Sequence, residues 1–204
     1  MHQMTLYHTP TSPFARKARI VARERGVIDD VTEIHAQIRT PQNEVLAISA
    51  TGKVPALTVD EGPDKGLVLV ESAMICEYLS QFGNGPSLAG SAPWPEKALD
   101  GYAHAFLDSI AWRGRDSRRP DGERSPSFMA LEAERQARCL ADLERRVDEL
   151  AAAEISLGRI LVAVALDFHL LRIAGEDWRP AHPRLADWHA RMAARPSFVA
   201  TTPF

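Results

Sequence analysis

With 204 residues and a hydrophobic share of 45%, the chain carries enough apolar material for one large domain or two small ones, which excludes a disordered segment. A formal net charge of -3 argues against a dedicated nucleic-acid binder. Cys76 and Cys139 stand far apart with no CxxC, so they read as reduced thiols of a cytoplasmic protein and not as a disulfide framework. The opening "MHQMTLYHTP" lacks the apolar stretch of a secretion signal, and the longest apolar run, 160–166, is too short to span a bilayer.

The first part of the chain alternates strand-like and helix-like segments. "MTLYH" (4–8) reads as a strand, and residues 13–25 as a helix closed by Gly26. "VTEIHA" is a second strand and "PQNEVLAIS" a short irregular helix. "VPALTV" (54–59) and "LVLV" (67–70) are two strands joined by the hairpin loop "DEGPDKG". Ile75, Tyr78, Leu79 and Phe82 then recur at helical spacing over 72–82. The order is β-α-β-α-β-β-α, a small α/β unit over 1–83. A Gly-, Pro- and Ser-rich stretch marks a linker over 84–95, and nothing strand-like follows it. Helical patterns cover 96–115, 127–150 (Leu140, Leu143, Val147, Leu150), 156–174 and 183–194 (Leu185, Trp188, Met192), so 96–204 reads as an all-α domain.

Three short motifs carry chemistry. Ser12-Pro13 joins the first strand to the first helix. Serine is a good N-cap, proline is pre-set for the first helical position, and a hydroxyl at a helix N-terminus stands where an anion is welcome. Pro55 has no N–H, which places it at the start of its strand. Glu71 and Ser72 open the next helix, where Ser72 reads as the N-cap and the free N–H groups as a carboxylate site. "RGRDSRRP" (113–120) reads as a solvated helix end, with selection of an anionic co-substrate as the alternative. The seven histidines show no HExxH or HxH spacing, so no metal is assigned, and "ATGKVP" lacks the full phosphate-loop pattern.

"TSPFARKAR", "GKVPALTV", "ESAMICEYL" and "DWRPAHPRLADWHARMAARPSF" come in this order, and the chain that holds them resembles the cytosolic glutathione transferase family, in particular its bacterial serine-type and omega-like members. The resemblance covers nearly the whole chain. It implies a thioredoxin-like N-terminal domain followed by an all-helical domain, with glutathione as co-substrate and no metal. It also implies a homodimer in the cytoplasm that serves detoxification and engages neither nucleic acid nor membrane. Glutathione would bind between Ser12, Val54, Pro55, Glu71 and Ser72. The Val54-Pro55 bond would be cis, and the ligand's cysteinyl residue would pair with Val54 as an added strand. Glu71 would pair with the γ-glutamyl ammonium and Ser72 with its carboxylate.

Ser12 takes the position held by cysteine in omega-like members and would be catalytic, with Thr9, Thr11 and Tyr7 as rivals. A free thiol has a pKa near ~8.5, and lowering it by about two units corresponds to ~2.7 kcal/mol. Tyr102, Phe106 and Trp112 are loose candidates for the electrophile site, whose substrate is an electrophilic small molecule or a peroxide. Thiol-disulfide exchange and a non-catalytic role through protein partners are the alternatives; serine at position 12 cannot form a mixed disulfide. The chain departs from the family where the long helix usually opens Ser/Thr-x-x-Asp. Here it reads Ser156-Leu157-Gly158-Arg159. Arginine opposes the helix dipole there and glycine costs about 1 kcal/mol, so Arg159→Asp is expected to stabilise the fold.

Overall fold

The computed structural model describes residues 3–89, 93–151 and 154–203. They divide into two compact units, one formed by the residues up to Leu88 together with those from Pro196 on, the other by Ala89–Arg195. The returning tail corrects the expectation that 96–204 is one helical domain. The helical stretch also begins earlier than expected, at Pro93 inside the supposed linker, of which residues 90–92 lie outside the described residues.

The first unit is a thioredoxin-like mixed sheet with helices. Its strands are β1 (Gln3–His8), β2 (Val31–His35), β3 (Ala56–Glu61) and β4 (Val68–Val70), in the order β2-β1-β3-β4. β1 runs parallel to β2 and antiparallel to β3, which runs antiparallel to β4. Alternation in β1 buries Met4, Leu6 and His8 on one face, as a half-covered strand should. Helix α1 (Pro13–Glu24) crosses from β1 to β2, buries Ala15, Ala18, Ile20, Val21 and Ala22, and packs against α2 (Ser72–Leu79).

The expected second helix is a 3-10 turn, Glu44–Ala47. Asn43 explains its shortness. Its side chain accepts from the Val45 N–H at 3.0 Å while its amide donates to the carbonyls of Ile38 and Gly52 at 3.1 and 2.9 Å, closing a loop in which only Val45 of the turn is buried. α2 ends at Leu79, short of the expected Phe82. The Ser80 hydroxyl donates back to the Cys76 carbonyl at 2.6 Å, and the Arg25 guanidinium takes the carbonyls of Phe82 and Gly83 at 3.0 and 3.1 Å.

The second unit is helical: α3 (Pro93–Asp116), α4 (Pro126–Arg145), α5 (Val147–Ala151), α6 (Leu157–Arg172) and α7 (Pro183–Ala193). The single helix expected over 127–150 breaks at Arg146, and residues 152–153 lie outside the described residues. Every residue of α6 from Gly158 to His169 is buried, so it is the central helix, and it packs chiefly on α3. Gly158 is required by that packing: a Cβ there would meet the Asp100 nitrogen and Leu99 Cγ, each at 2.9 Å.

The expectation for Arg159 is overturned. Its guanidinium is buried and bonds the Glu96 carboxylate at 2.6 and 2.7 Å, the Leu150 and Glu149 carbonyls at 3.0 Å each, and Ser156 Oγ at 3.0 Å. Ser156 still caps α6, accepting from the Arg159 N–H at 3.3 Å. The acid that balances the arginine lies 63 residues away and has no local signature. The tail forms α8 (Pro196–Val199) and belongs to the first unit because Phe198 and Thr201 are buried against Arg16 of α1. Among the described residues no helix is long and apolar enough to cross a membrane.

Candidate functional site

The sheet register brings the three motifs together. Tyr7 pairs with Ala56, and Ala56 with Val70. The C-terminal end of β1, the start of β3 and the end of β4 therefore share one edge of the sheet. The chain leaves that edge into Thr9–Ser12, enters it through Val54-Pro55, and leaves it again into Glu71-Ser72.

Ser12 is the N-cap of α1. It has extended backbone (φ -80°, ψ 115°), its Oγ accepts from the Ala15 N–H at 3.2 Å, and its own N–H donates to the Thr9 carbonyl at 3.1 Å. The hydroxyl hydrogen stays available while the oxygen is engaged by the helix, so capping and donation to an anion are compatible. Ser12 is half-buried, Thr9 is half-buried and Thr11 is exposed. Tyr7 is different: it packs against the apolar cluster of Ala36, Val45 and Ala56.

The Val54-Pro55 bond is cis, in agreement with the resemblance. Pro55 is buried, and Val54 packs on the same cluster as Tyr7 just ahead of Ala56, the first paired residue of β3.

At α2 the structure corrects one assignment. Ser72 is the first helical residue and is buried; the N-cap seat belongs to Glu71, which makes no side-chain cap bond. Glu71 has φ 72°, and it is the one non-glycine with positive φ among the described residues. Such a conformation costs of order 1–3 kcal/mol and concentrates at ligand sites. It turns the chain sharply from β4 into α2, so that the exposed Glu71 stands at the N-terminal end of the helix.

The electrostatics suit an anion. Neither α1 nor α2 carries an acidic residue in its first turn, so α1 keeps the partial positive charge of its N-terminus, while the N-cap Glu71 sets a carboxylate beside that of α2. The Glu33 carboxylate on β2 is paired with two arginines of α1. Burial alone would raise Glu33, but hydrogen bonds from Arg23 and Arg19 hold it at about 2. Among the described residues no group of three or more His, Cys, Asp or Glu is placed to hold a metal ion.

The electrophile-site candidates all lie on α3. Tyr102 donates to the Cys139 carbonyl at 3.2 Å beneath Arg146, and Phe106 is wholly buried, both in the surroundings of core residues. Trp112 is 47% exposed. Much of the basic run is structural. Arg113 binds Gln136 and Glu176, and Arg119 pairs with Asp116. Two buried groups near these motifs escaped sequence reading. Arg16 and His8 are polar residues on an amphipathic helix and at a strand end, and polar residues there read as solvated.

The chain is similar to known proteins over most of its length. Residues 6–87 match the family described as the N-terminal domain of glutathione S-transferase. A glutathione transferase family member from Pseudomonas fluorescens Pf-5, solved with bound glutathione, is 31% identical, superposes with a TM-score of 0.90, and is matched over 99% of this chain and 100% of its own. A glutathione S-transferase from Methylobacillus flagellatus KT, also with glutathione bound, is 27% identical over 99% of this chain and 100% of its own, with a TM-score of 0.90. The uncharacterised GST-like protein YibF of Escherichia coli K12 is 25% identical over 98% of both chains.

Proposed function

Because the chain belongs to the glutathione transferase family, we propose that it binds glutathione at the shared edge of the first sheet and activates its thiol. The observation that carries this reading is the convergence there of the N-termini of α1 and α2 and of the Val54 backbone. In this reading the cysteinyl backbone of glutathione adds to Val54 as a strand, with Pro55 holding the entry to β3. The γ-glutamyl carboxylate lies on the N–H groups of α2 at Ser72, and Glu71 takes the ammonium.

The thiol then lies at the N-terminus of α1. Its proton leaves to solvent, and the sulfur's charge is stabilised by the Ser12 hydroxyl and the helix end. The thiolate attacks an electrophilic carbon and displaces its leaving group, or attacks a peroxide oxygen, breaking the O–O bond so that the sulfur is oxidised to the sulfenic acid and the peroxide, with a proton from solvent, is reduced to the alcohol. Thiol-disulfide exchange fits less well. Ser12 has no sulfur, Cys76 is buried, and burial pushes the Cys139 thiol up. The assembly is a cytoplasmic homodimer, a reading supported by the exposed apolar Leu67, Val68 and Met74 in the glutathione unit, and light scattering tests it.

Calorimetry tests the binding reading. Glu71→Ala and Ser72→Ala each weaken glutathione binding while the unfolding transition stays cooperative. Unchanged affinity in both removes α2 from the site. A panel of electrophiles and peroxides then tests turnover; binding without any turnover would make this a glutathione-fold protein acting through partners.

A further inference from the structure

The helix that carries Ser12 is tied to the end of the chain. Arg16, one turn after Ser12, is buried, and its backbone N–H donates to the Ser12 carbonyl at 2.9 Å. Its guanidinium leaves the helix for the tail. Nε donates to Thr201 Oγ1 and Nη2 to the Phe198 carbonyl, each at 3.4 Å, and the group lies 5.5 Å from the centre of the Phe198 ring. Thr201 Oγ1 spends its own hydrogen on the Ser197 carbonyl at 2.8 Å, which leaves its oxygen to accept from Arg16. Ser197 in turn donates to Glu24 in the last turn of α1. Ser197, Phe198 and Thr201 are all buried, so the tail touches α1 near both ends.

We propose that Arg16 is a positioning residue, through which the tail from Pro196 on fixes the first turn of α1 and so the placement of Ser12 against bound thiol. The proposal rests on the reading of Ser12 as thiolate donor. A donor that stabilises charge must be held before the charge forms, because reorganising it during the reaction forfeits the gain. The Ser12 cap bond to Ala15 fixes the hydroxyl relative to the helix but not the helix relative to the sheet edge. α2 supports α1 along its side, and Arg25 ties its far end to the loop after α2. The Arg16 tether acts at the catalytic end. The first unit is thereby discontinuous: the 6–87 segment matched by the family lacks the tail residues that bond Arg16.

The test uses the full chain. Thr201→Val removes one hydroxyl on the tail side and leaves α1 untouched, so the fold survives; Arg16→Met removes the tether, and Arg16→Lys restores one donor. Thiolate absorbance of bound glutathione is titrated against pH in each, beside calorimetric affinity for glutathione and the denaturation midpoint. The expected result is a titration displaced upward, with neutral-pH turnover down about three- to tenfold in Thr201→Val and Arg16→Met, partly recovered in Arg16→Lys. Affinity for glutathione should change less than turnover. Titrations of Thr201→Val and Arg16→Met that coincide with wild type, whatever the loss of stability, overturn the proposal and leave Arg16 a core anchor. The Ser12 reading is judged separately on Ser12→Ala, so the two failures are distinguishable.

Discussion

Arg159 shows how a residue that looks wrong in sequence can be right in space. Read locally, an arginine at the third position of α6 meets the positive end of the helix dipole. In the fold it is buried, shares both oxygens of Glu96, and takes two carbonyls of α5 that would otherwise need partners. Removing one partner of a buried pair leaves an uncompensated charge, which costs about 3–5 kcal/mol. Arg159→Met is therefore expected to lower the unfolding free energy by that amount, read from chemical denaturation, and Arg159→Asp by more, since two carboxylates would then face each other. A midpoint equal to wild type in Arg159→Asp would mean that Glu96 is not its partner in solution. The cap role of Ser12 was legible because its neighbours in sequence define it. Arg159 was not, because its role depends on a residue 63 positions away.

At the scale of elements, the strands and the long helices followed from alternation and helical spacing. Their ends did not. α2 stops early because Ser80 turns its hydroxyl on Cys76, and α4 parts from α5 at Arg146. The Ser72 cap was misassigned because local preference favours serine over glutamate as N-cap, while the turn out of β4 demands the positive φ that Glu71 adopts. Gly158 illustrates the same contest between propensity and packing. Propensity favours alanine there by about 1 kcal/mol. Contact with α3 forbids it, because the obstructing Asp100 nitrogen is backbone and cannot swing aside. Gly158→Ala is expected to destabilise the helical unit by about 1–3 kcal/mol net, read from chemical denaturation. A gain in stability would show that α3 and α6 can separate at no cost.

For the molecule as a whole, the buried ionisable groups make stability fall on acidification in two windows. Burial pushes His169 down to about 4, with Glu176 opposing and Arg113 adding, and burial and Arg19 lower His8 in the same sense. These histidines are neutral when folded and take protons more readily when unfolded. Their contribution is present above pH ~6.5 and is lost as pH falls toward the folded values, by at most ~3 kcal/mol for His169. Glu33, held at about 2, contributes above its ordinary pKa and loses that contribution as pH drops from 4.5 toward 2. Denaturation midpoints should thus decline first between pH 6.5 and 4. His169→Phe should flatten that part of the curve, and a wild-type midpoint constant across it would contradict the burial of both histidines.

In the proposed function Ser12, at the N-terminus of α1, stabilises the glutathione thiolate. Ser12→Ala also removes an N-cap, at a cost of ~1 kcal/mol, so loss of activity alone would not separate the two roles. The thiolate absorbance of bound glutathione, titrated against pH in wild type and Ser12→Ala at saturating glutathione, does separate them. The expected result is a thiol in the wild type that titrates well below the ~8.5 of a free thiol, and one in Ser12→Ala displaced upward by about one to two units, with turnover recovering as pH is raised. Coincident titrations would contradict the claim and reduce Ser12 to a helix cap.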